Sequence, residues 1–323
     1  MTTPHDLGEL LDAARDADRV ALARLLTVVE NDGARARELA ARTWTSHRAF
    51  TVGITGAPGS GKSTLTDKMI TTALERFVAD DDVAPVAQVG VLCVDPTSPF
   101  TGGAILGDRV RMQDHALDER VFIRSLATRG HHGGLSVAVP DALAALGAAG
   151  FDLVLVETVG VGQVELEVAA TAEMTIVVVT PGWGDSMQAA KAGLLEIADL
   201  FVVNKADRPG AAEARRDLAQ MLDLGVGRGG RWRPPIVDTV ATDGTGVGEL
   251  FDGIGAFREH LRGPDGEARR RDRATALVRR LTAQRLSRSI DELAATGPFS
   301  DAVDAVARGS IDPYAAVDSL LAS

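Results

Sequence analysis

A phosphate-binding loop is the clearest chemical signal in this sequence. The stretch from Gly56 to Ser63 matches the pattern G-x-x-x-x-G-K-[ST] at every fixed position, between an apolar run and a segment with helical character. Glycine residues let backbone N–H groups surround a phosphate, and the amino end of the following helix adds the positive end of its dipole. Lys62 is expected to reach the β- and γ-phosphate oxygens, and the Ser63 hydroxyl is expected to ligate Mg²⁺. The predicted loop residues are Gly56, Ala57, Pro58, Gly59, Ser60, Gly61, Lys62, Ser63 and Thr64.

A second motif, Asn204-Lys205-Ala206-Asp207, follows an apolar run and predicts recognition of guanine. The Asp207 carboxylate can accept hydrogen bonds from both N1–H and the exocyclic amine of guanine, whereas adenine offers no such pair of donors. A base that left this carboxylate unpaired would bind much more weakly. The predicted guanine-binding residues are Asn204, Lys205 and Asp207, with Val240, Ala241 and Thr242 as the segment whose backbone meets guanine O6.

Acidic residues at the ends of two further apolar runs predict a magnesium site. Glu157 begins the sequence Glu-Thr-Val-Gly, in which the carboxylate would hold Mg²⁺ directly or through water and the Gly160 N–H would contact the γ-phosphate. Asp95 ends the preceding apolar run, and Asp108 follows it further along the chain; both are expected to reach the water shell of the metal. The predicted metal ligands are Ser63, Asp95, Asp108 and Glu157.

The same motifs predict slow intrinsic hydrolysis of GTP to GDP. Val161 stands where a glutamine would orient the attacking water, and Gln163 is offset from that position. A positive charge brought in by a rearrangement would accelerate the reaction, and Lys191, Arg109 or Arg111 could supply it. Lys191 is the stronger candidate because only four of the 34 basic residues are lysine. The predicted catalytic residues are Lys62, Asp108, Glu157 and Lys191.

Short apolar runs alternate with helical segments along the middle of the chain, which predicts a mostly parallel β-sheet covered by helices on both faces. Residues 6–43 before it are predicted to form two helices. Each polar motif follows the end of a run, where open α/β sheets bind their ligands. The predicted strands are 50–55, 88–94, 151–156, 174–179, 200–203 and 236–240.

Composition and charge limit the partners and the cellular compartment that this protein is expected to have. The chain has 323 residues and a net charge of −11, which argues against nucleic acid or an anionic membrane as the main partner. Cys93 is the single cysteine and is expected to be inert core; this and the absence of a signal sequence predict a cytoplasmic protein. The expected parts are an N-terminal helical segment (1–46), a P-loop GTPase domain (47–262) and an arginine-rich helical dimerisation region (263–323).

Further segments resemble the MeaB/ArgK-type GTPases, the methylmalonyl-CoA mutase-associated G proteins. The resemblance covers nearly the whole chain and is most specific in the first of these segments. They are Val94–Met112, Thr128–His131, Glu157–Gln163, Gly184–Lys191 and Ile311–Ala316.

The resemblance implies a homodimeric GTPase that binds GTP or GDP with Mg²⁺ and escorts an adenosylcobalamin-dependent acyl-CoA mutase. It would gate the loading of intact cofactor and help to eject the damaged form, with Lys191 in a segment that responds to the mutase. One alternative is a nickel-delivering GTPase of hydrogenase or urease maturation, but the Cys-His motif or His-rich tract expected of that class is missing from the sequence. A kinase of transport proteins is a third interpretation, and the guanine motif counts against it.

Overall fold

The computed structural model describes residues 6–31, 33–46, 49–76, 88–95, 112, 115, 117–127, 138–158, 171–183, 196–224 and 232–322. The chain divides into two compact units, residues 1–266 and 267–323.

A parallel sheet of seven strands forms the centre of the first unit. Its order is β3-β2-β4-β1-β5-β6-β7, and each described pairing of neighbouring strands is parallel. All the carboxyl ends therefore lie at one edge of the sheet, as the sequence predicts. The strands are β1 (Phe50–Thr55), β2 (Val89–Asp95), β3 (Val121–Ala127), β4 (Leu153–Thr158), β5 (Met174–Val179), β6 (Leu200–Asn204) and β7 (Ile236–Thr239).

Strand β3 is the one strand that the apolar runs did not predict. It lies at the edge of the sheet and pairs only with β2 among the described strands. Arg124 stands in its middle and interrupts the apolar pattern, but the guanidinium forms an ion pair with the Glu30 carboxylate. That pairing offsets the cost of placing a charge against the sheet.

Helices cover both faces of the sheet, so the predicted fold class is confirmed. One face is packed by α4 (Lys62–Arg76) and α7 (Val247–His260). The opposite face carries α5 (Ala138–Ala148) and, over β5 and β6, α6 (Ala211–Leu224). Cys93 is fully buried in the core between the sheet and helices α4 and α7, as expected.

The N-terminal region forms three helices, so the prediction of two helices over residues 6–43 is wrong. The apolar side chains of the first two pack into the same core as α5 and β4. Asp6 and Asp18 cap these two helices, because each side chain accepts hydrogen bonds from the backbone N–H groups two and three residues later. A break near Gly33 then separates the third. The helices are α1 (Leu7–Arg15), α2 (Arg19–Glu30) and α3 (Ala34–Thr43).

The second unit is helical. Most of the long helix α8 (Pro264–Ala294) belongs to it, followed by α9 (Gly297–Ala307) and α10 (Pro313–Leu321). The Asp312 side chain caps α10 by accepting from two backbone N–H groups of its first turn, and Pro313 at the first helical position suits the same start. Within the described ranges, no helix combines the length and the apolarity needed to cross a bilayer.

Candidate nucleotide site

The loop between β1 and α4 approaches β5 so closely that only glycine fits at its start. Gly56 has a φ of +143°, and a Cβ there would overlap the carbonyl oxygen of Val178. Gly59 and Gly61 also have positive φ values, of 76° and 91°. These conformations suit glycine and turn the loop back over the end of the sheet.

The Lys62 ammonium lies inside this loop. Its Nζ donates to the carbonyl oxygens of Gly56 (2.7 Å) and Ala57 (3.1 Å), and the side chain is buried. Lys62 is also the first residue of α4, so its charge stands at the positive end of that helix. A buried cation, a helix amino terminus and a glycine-rich loop together form a site for a phosphate anion.

Ser63 and Glu157 meet across the start of α4 and the end of β4. The Ser63 hydroxyl donates to Glu157 Oε1 at 2.6 Å, and both side chains are buried. Hydroxyl and carboxylate oxygens are ligands that Mg²⁺ prefers, and neighbouring ligands in an octahedral shell with bonds of about 2.1 Å stand about 3.0 Å apart. The two oxygens therefore fit adjacent positions around this ion with little movement.

Asn204 joins the phosphate loop to the predicted guanine segment. Its amide nitrogen donates to the carbonyl oxygen of Ser60 at 2.8 Å. Its carbonyl oxygen accepts from the Thr239 hydroxyl and from the Ala241 N–H, each at 3.1 Å. The side chain is buried, and a Cβ on Gly61 would collide with its amide nitrogen. Asn204 thus fixes three segments relative to one another.

Lys205 and Asp207 take up positions that suit a base lying beside the loop. Lys205 has a φ of 60°, and its Nζ donates to the carbonyl oxygen of Gly59 at 2.8 Å. The Ala206 N–H donates to the Thr239 carbonyl oxygen at 3.0 Å, which holds the turn against β7. Asp207 is exposed and makes no hydrogen bond or ion pair with any residue that the structure describes. Its carboxylate is therefore available to a ligand.

The segment after β7 is closed by a turn. Val240 N–H donates to the Thr245 carbonyl oxygen at 3.0 Å, and Asp243 accepts from the Thr245 N–H at 2.9 Å. That backbone hydrogen bond lowers the pKa of Asp243, so its carboxylate stays ionised to a lower pH than that of a free aspartate. The Ala241 N–H already donates to Asn204, so a hydrogen bond from this N–H to guanine O6 must share or replace that contact. Thr242, the next residue, is exposed.

The structure brings most of the predicted nucleotide-binding residues together but leaves part of the catalytic set undescribed. Asp95 is the last residue of β2, and only its backbone is described. Glu157 lies between the ends of β1 and β2, because β4 separates those strands. The predicted residues outside the described ranges are Asp108, Arg109, Arg111, Gly160, Val161, Gln163 and Lys191.

Thr239 is a site residue that the sequence interpretation missed. Its fully buried hydroxyl orients the Asn204 amide, and its carbonyl oxygen holds Ala206. The available signal was its position, since Thr239 is the last residue of a strand and directly precedes the predicted O6 segment. A threonine at a strand end is so common that the pattern by itself carries little information.

The comparisons with known proteins agree with this geometry. The family model described as "Methylmalonyl Co-A mutase-associated GTPase MeaB" matches residues 22–295. A protein of Pyrococcus abyssi is 45% identical over 319 residues, which are 98% of this chain and 96% of that protein. The fused isobutyryl-CoA mutase of Cupriavidus metallidurans is 42% identical over 216 residues, which are 66% of this chain and 19% of that much longer protein.

A solved structure extends the likeness to the whole fold. The crystal structure of a protein titled LAO/AO transport system kinase superposes with a TM-score of 0.71 and 26% identity, covering 99% of this chain and 98% of that one. The family model and the Pyrococcus relative both span most of the chain, and the glycine-rich loop, the Ser63–Glu157 pair and the segment that starts at Asn204 lie at one edge of the sheet. This chain therefore belongs to the MeaB family of mutase-associated GTPases, which hydrolyse GTP to GDP.

Proposed function

We propose that this GTPase escorts an adenosylcobalamin-dependent acyl-CoA mutase, gating the loading of intact cofactor and assisting removal of the damaged form. The observation that carries the proposal is the fused relative, in which a segment similar to this chain is part of a protein named as an isobutyryl-CoA mutase. A covalent link holds two modules at a high effective concentration, which is useful when they act on each other. Methylmalonyl-CoA mutase is the client proposed first, from the description of the family.

The phosphate site supports a role in which the nucleotide changes the conformation of the protein. Lys62 donates to two loop carbonyl oxygens, and Ser63 donates to Glu157. Phosphate and Mg²⁺ would replace these internal hydrogen bonds as partners of Lys62 and Ser63, so the contacts inside the site would differ between the empty and the occupied protein. A client that binds one arrangement more tightly than the other will respond to GTP and GDP differently.

The residues proposed to carry hydrolysis follow from this arrangement. Lys62 would stabilise negative charge on the transferred phosphoryl group, and Glu157 and Ser63 would hold Mg²⁺ together with Asp95 and Asp108. When bound, Mg²⁺ neutralises charge on the β- and γ-phosphate oxygens. Gly160 would contact the γ-phosphate, and Lys191 would add its charge when the mutase is present. A cation supplied from outside the resting site is a known means of accelerating GTP hydrolysis.

The test of the escort role is a binding measurement with purified mutases. We expect methylmalonyl-CoA or isobutyryl-CoA mutase to bind this chain with affinities that differ roughly 5- to 150-fold between GDP and a non-hydrolysable GTP analogue, the usual range of coupling between two sites. Lys191→Ala should keep wild-type nucleotide affinity and lose the acceleration of GTP turnover by the mutase.

The control for this experiment is Arg216→Ala, which removes one exposed positive charge from α6. It should behave as wild type in both measurements. Equal mutase affinity in the two nucleotide states would contradict the escort role. Full stimulation of Lys191→Ala would contradict the role of Lys191 alone.

We also propose that the chain forms a homodimer through α8. Val278, Leu286 and Ile290 are 61%, 60% and 59% exposed. Their spacing, in steps of four with Thr282 between the first two, places them on one face of the helix. A second copy of this chain would bury such an apolar stripe, because the same surface is self-complementary across a two-fold axis.

Replacing Leu286 and Ile290 by Asp should convert the proposed dimer into a monomer, since each copy would bury two carboxylates without partners at the interface. Sedimentation equilibrium gives the mass directly. Ser287→Asp, which adds a charge at an exposed position next to the stripe, is the matched control and should remain dimeric. A wild-type chain that sediments as a monomer at micromolar concentration would refute the proposal.

A further inference from the structure

The turn that carries the guanine motif lies between the ends of two neighbouring strands. We call residues 204–210 the base turn; it starts at the last residue of β6 and leads into α6. Strand β6 lies between β5 and β7 in the sheet. On the β7 side, the Ala206 N–H and the Asn204 side chain are hydrogen-bonded to Thr239. The position of the base turn therefore also depends on its neighbour on the β5 side.

That neighbour is the turn of residues 180–183, which follows β5 and ends at Trp183. The Trp183 N–H closes it by donating to the Thr180 carbonyl oxygen at 3.1 Å. A Cβ added to Gly210 would stand 3.5 Å from the Cβ of Pro181, an ordinary van der Waals distance. The two turns thus lie side by side, with the last residue of the base turn next to Pro181.

Trp183 has the largest side chain in the apolar core that holds both ends of the base turn. It is 9% exposed. The core contains Val203, the residue before the base turn, and Ala214 of α6. Ala211, the first residue of α6, packs against the same core, and the Ala214 N–H donates to the Gly210 carbonyl oxygen at 3.0 Å. A void in place of the indole would let the flanks of the turn shift, because cores close such voids only in part.

A small shift of the base turn is sufficient to change how a base is recognised. Asp207 stands in the middle of this turn, and its carboxylate is the proposed acceptor for two donors of guanine. A paired contact of this kind depends strongly on geometry. A hydrogen bond of about 2.9 Å that is stretched by about 1 Å is lost.

We propose that Trp183 is a positioning residue for guanine recognition. By filling the core that joins the 180–183 turn to α6, it keeps the Asp207 carboxylate where it can accept both hydrogen bonds. It thereby determines how well the protein distinguishes guanine from hypoxanthine, which has the N1–H but lacks the exocyclic amine. The proposal rests on the recognition of guanine by Asp207, and it requires neither the escort role nor the predicted magnesium site.

The experiment measures the affinities for GTP and for inosine triphosphate by calorimetric titration. The wild type should bind GTP roughly 10- to 100-fold more tightly, the size expected for one hydrogen bond to a charged group. Trp183→Ala should reduce this ratio to less than roughly 5-fold, because the bond from the exocyclic amine is lost. Trp183→Phe keeps an aromatic ring in the core and should retain most of the wild-type ratio.

Trp232→Ala is the matched control, since it removes the same side chain at the opposite edge of the sheet. Trp232 Nε1 donates to the carbonyl oxygen of Asp199, the residue before β6, at 2.7 Å, and its ring packs against Phe257. A tryptophan that only stabilises the fold would lower the thermal stability and leave the ratio of affinities unchanged. We expect this result for Trp232→Ala and not for Trp183→Ala.

A second readout is the rate of GDP release. Trp183→Ala should release GDP roughly 10-fold faster and bind it at the wild-type rate, because changes of affinity among variants of one site are mostly changes in dissociation. If Trp183→Ala does not fold, Trp183→Leu leaves a smaller void and should give a ratio between those expected for alanine and for the wild type.

Two results would overturn the proposal. One is a wild-type ratio of affinities in the alanine or leucine variant of Trp183, and the other is an equal loss of this ratio in Trp232→Ala. Substitution of Asp207 by asparagine separates this failure from a wider one. If that substitution leaves GTP binding unchanged, the recognition of guanine by Asp207 is wrong, and the role of Trp183 fails with it.

Discussion

Replacing Asp207 by asparagine is expected to weaken GTP binding roughly 10²-fold and to create binding of xanthosine triphosphate. The exposed carboxylate is the proposed acceptor for two hydrogen bonds from guanine, and bonds to a charged group contribute about 1.5–3 kcal/mol each. Asparagine would set an amide donor against the guanine amine, whereas xanthine offers a carbonyl oxygen in that place. Calorimetric titration of the wild type and of Asp207→Asn, each with GTP and with xanthosine triphosphate, measures this change of specificity.

Asp217→Asn provides the comparison for this exchange. Asp217 is exposed on α6, so its substitution makes the same change of charge away from the site. It should leave both affinities unchanged. An Asp207→Asn chain that binds GTP as tightly as the wild type would show that this motif does not read the base.

Replacing Lys62 by alanine is expected to lower kcat for GTP hydrolysis roughly 10²- to 10³-fold, as the loss of other preorganised donors to a developing negative charge does. The ammonium is buried within the loop and already lies at the amino end of α4. Its position therefore requires little reorganisation when phosphate arrives. Single-turnover hydrolysis at saturating GTP separates this loss from weaker binding.

Arg76→Ala is the matched control for the lysine substitution. Arg76 is exposed near the opposite end of α4, where it forms an ion pair with Asp252 at 3.3 Å. Removing this charge should leave hydrolysis at the wild-type rate. A Lys62→Ala enzyme with wild-type single-turnover kinetics would refute the placement of the phosphates in this loop.

The sequence predicts the fold well where local pattern and tertiary environment agree. Strands buried on both faces read as continuous apolar runs, and for this reason β1 and β5 begin and end at the predicted residues. Strand β3 lacks such a run because Arg124 stands at its centre. The strand tolerates this charge because Arg124 forms an ion pair with Glu30, which comes from a distant part of the chain. A pattern confined to neighbouring residues does not contain that partner.

The candidate site could likewise be predicted from the sequence only in part. The phosphate loop and the guanine motif are contiguous in sequence, and their spacing alone identifies the residue types that the chemistry needs. The contact of Asn204 with Ser60, and that of Ser63 with Glu157, join residues far apart in the chain. Such pairs are fixed by the order of the strands and the packing of α4, which no single motif specifies.

The buried amide of Asn204 has a consequence for the energetics of the ligand. One side chain contacts both the loop predicted to bind the phosphates and the strand end next to the segment predicted to bind the base. Groups that share a partner are not thermodynamically independent. The binding free energies of guanosine and of pyrophosphate, measured separately, will therefore not sum to that of the intact nucleotide. A nucleotide with the wrong base will lose binding free energy in its contacts with the phosphate loop as well as in its contacts with the base.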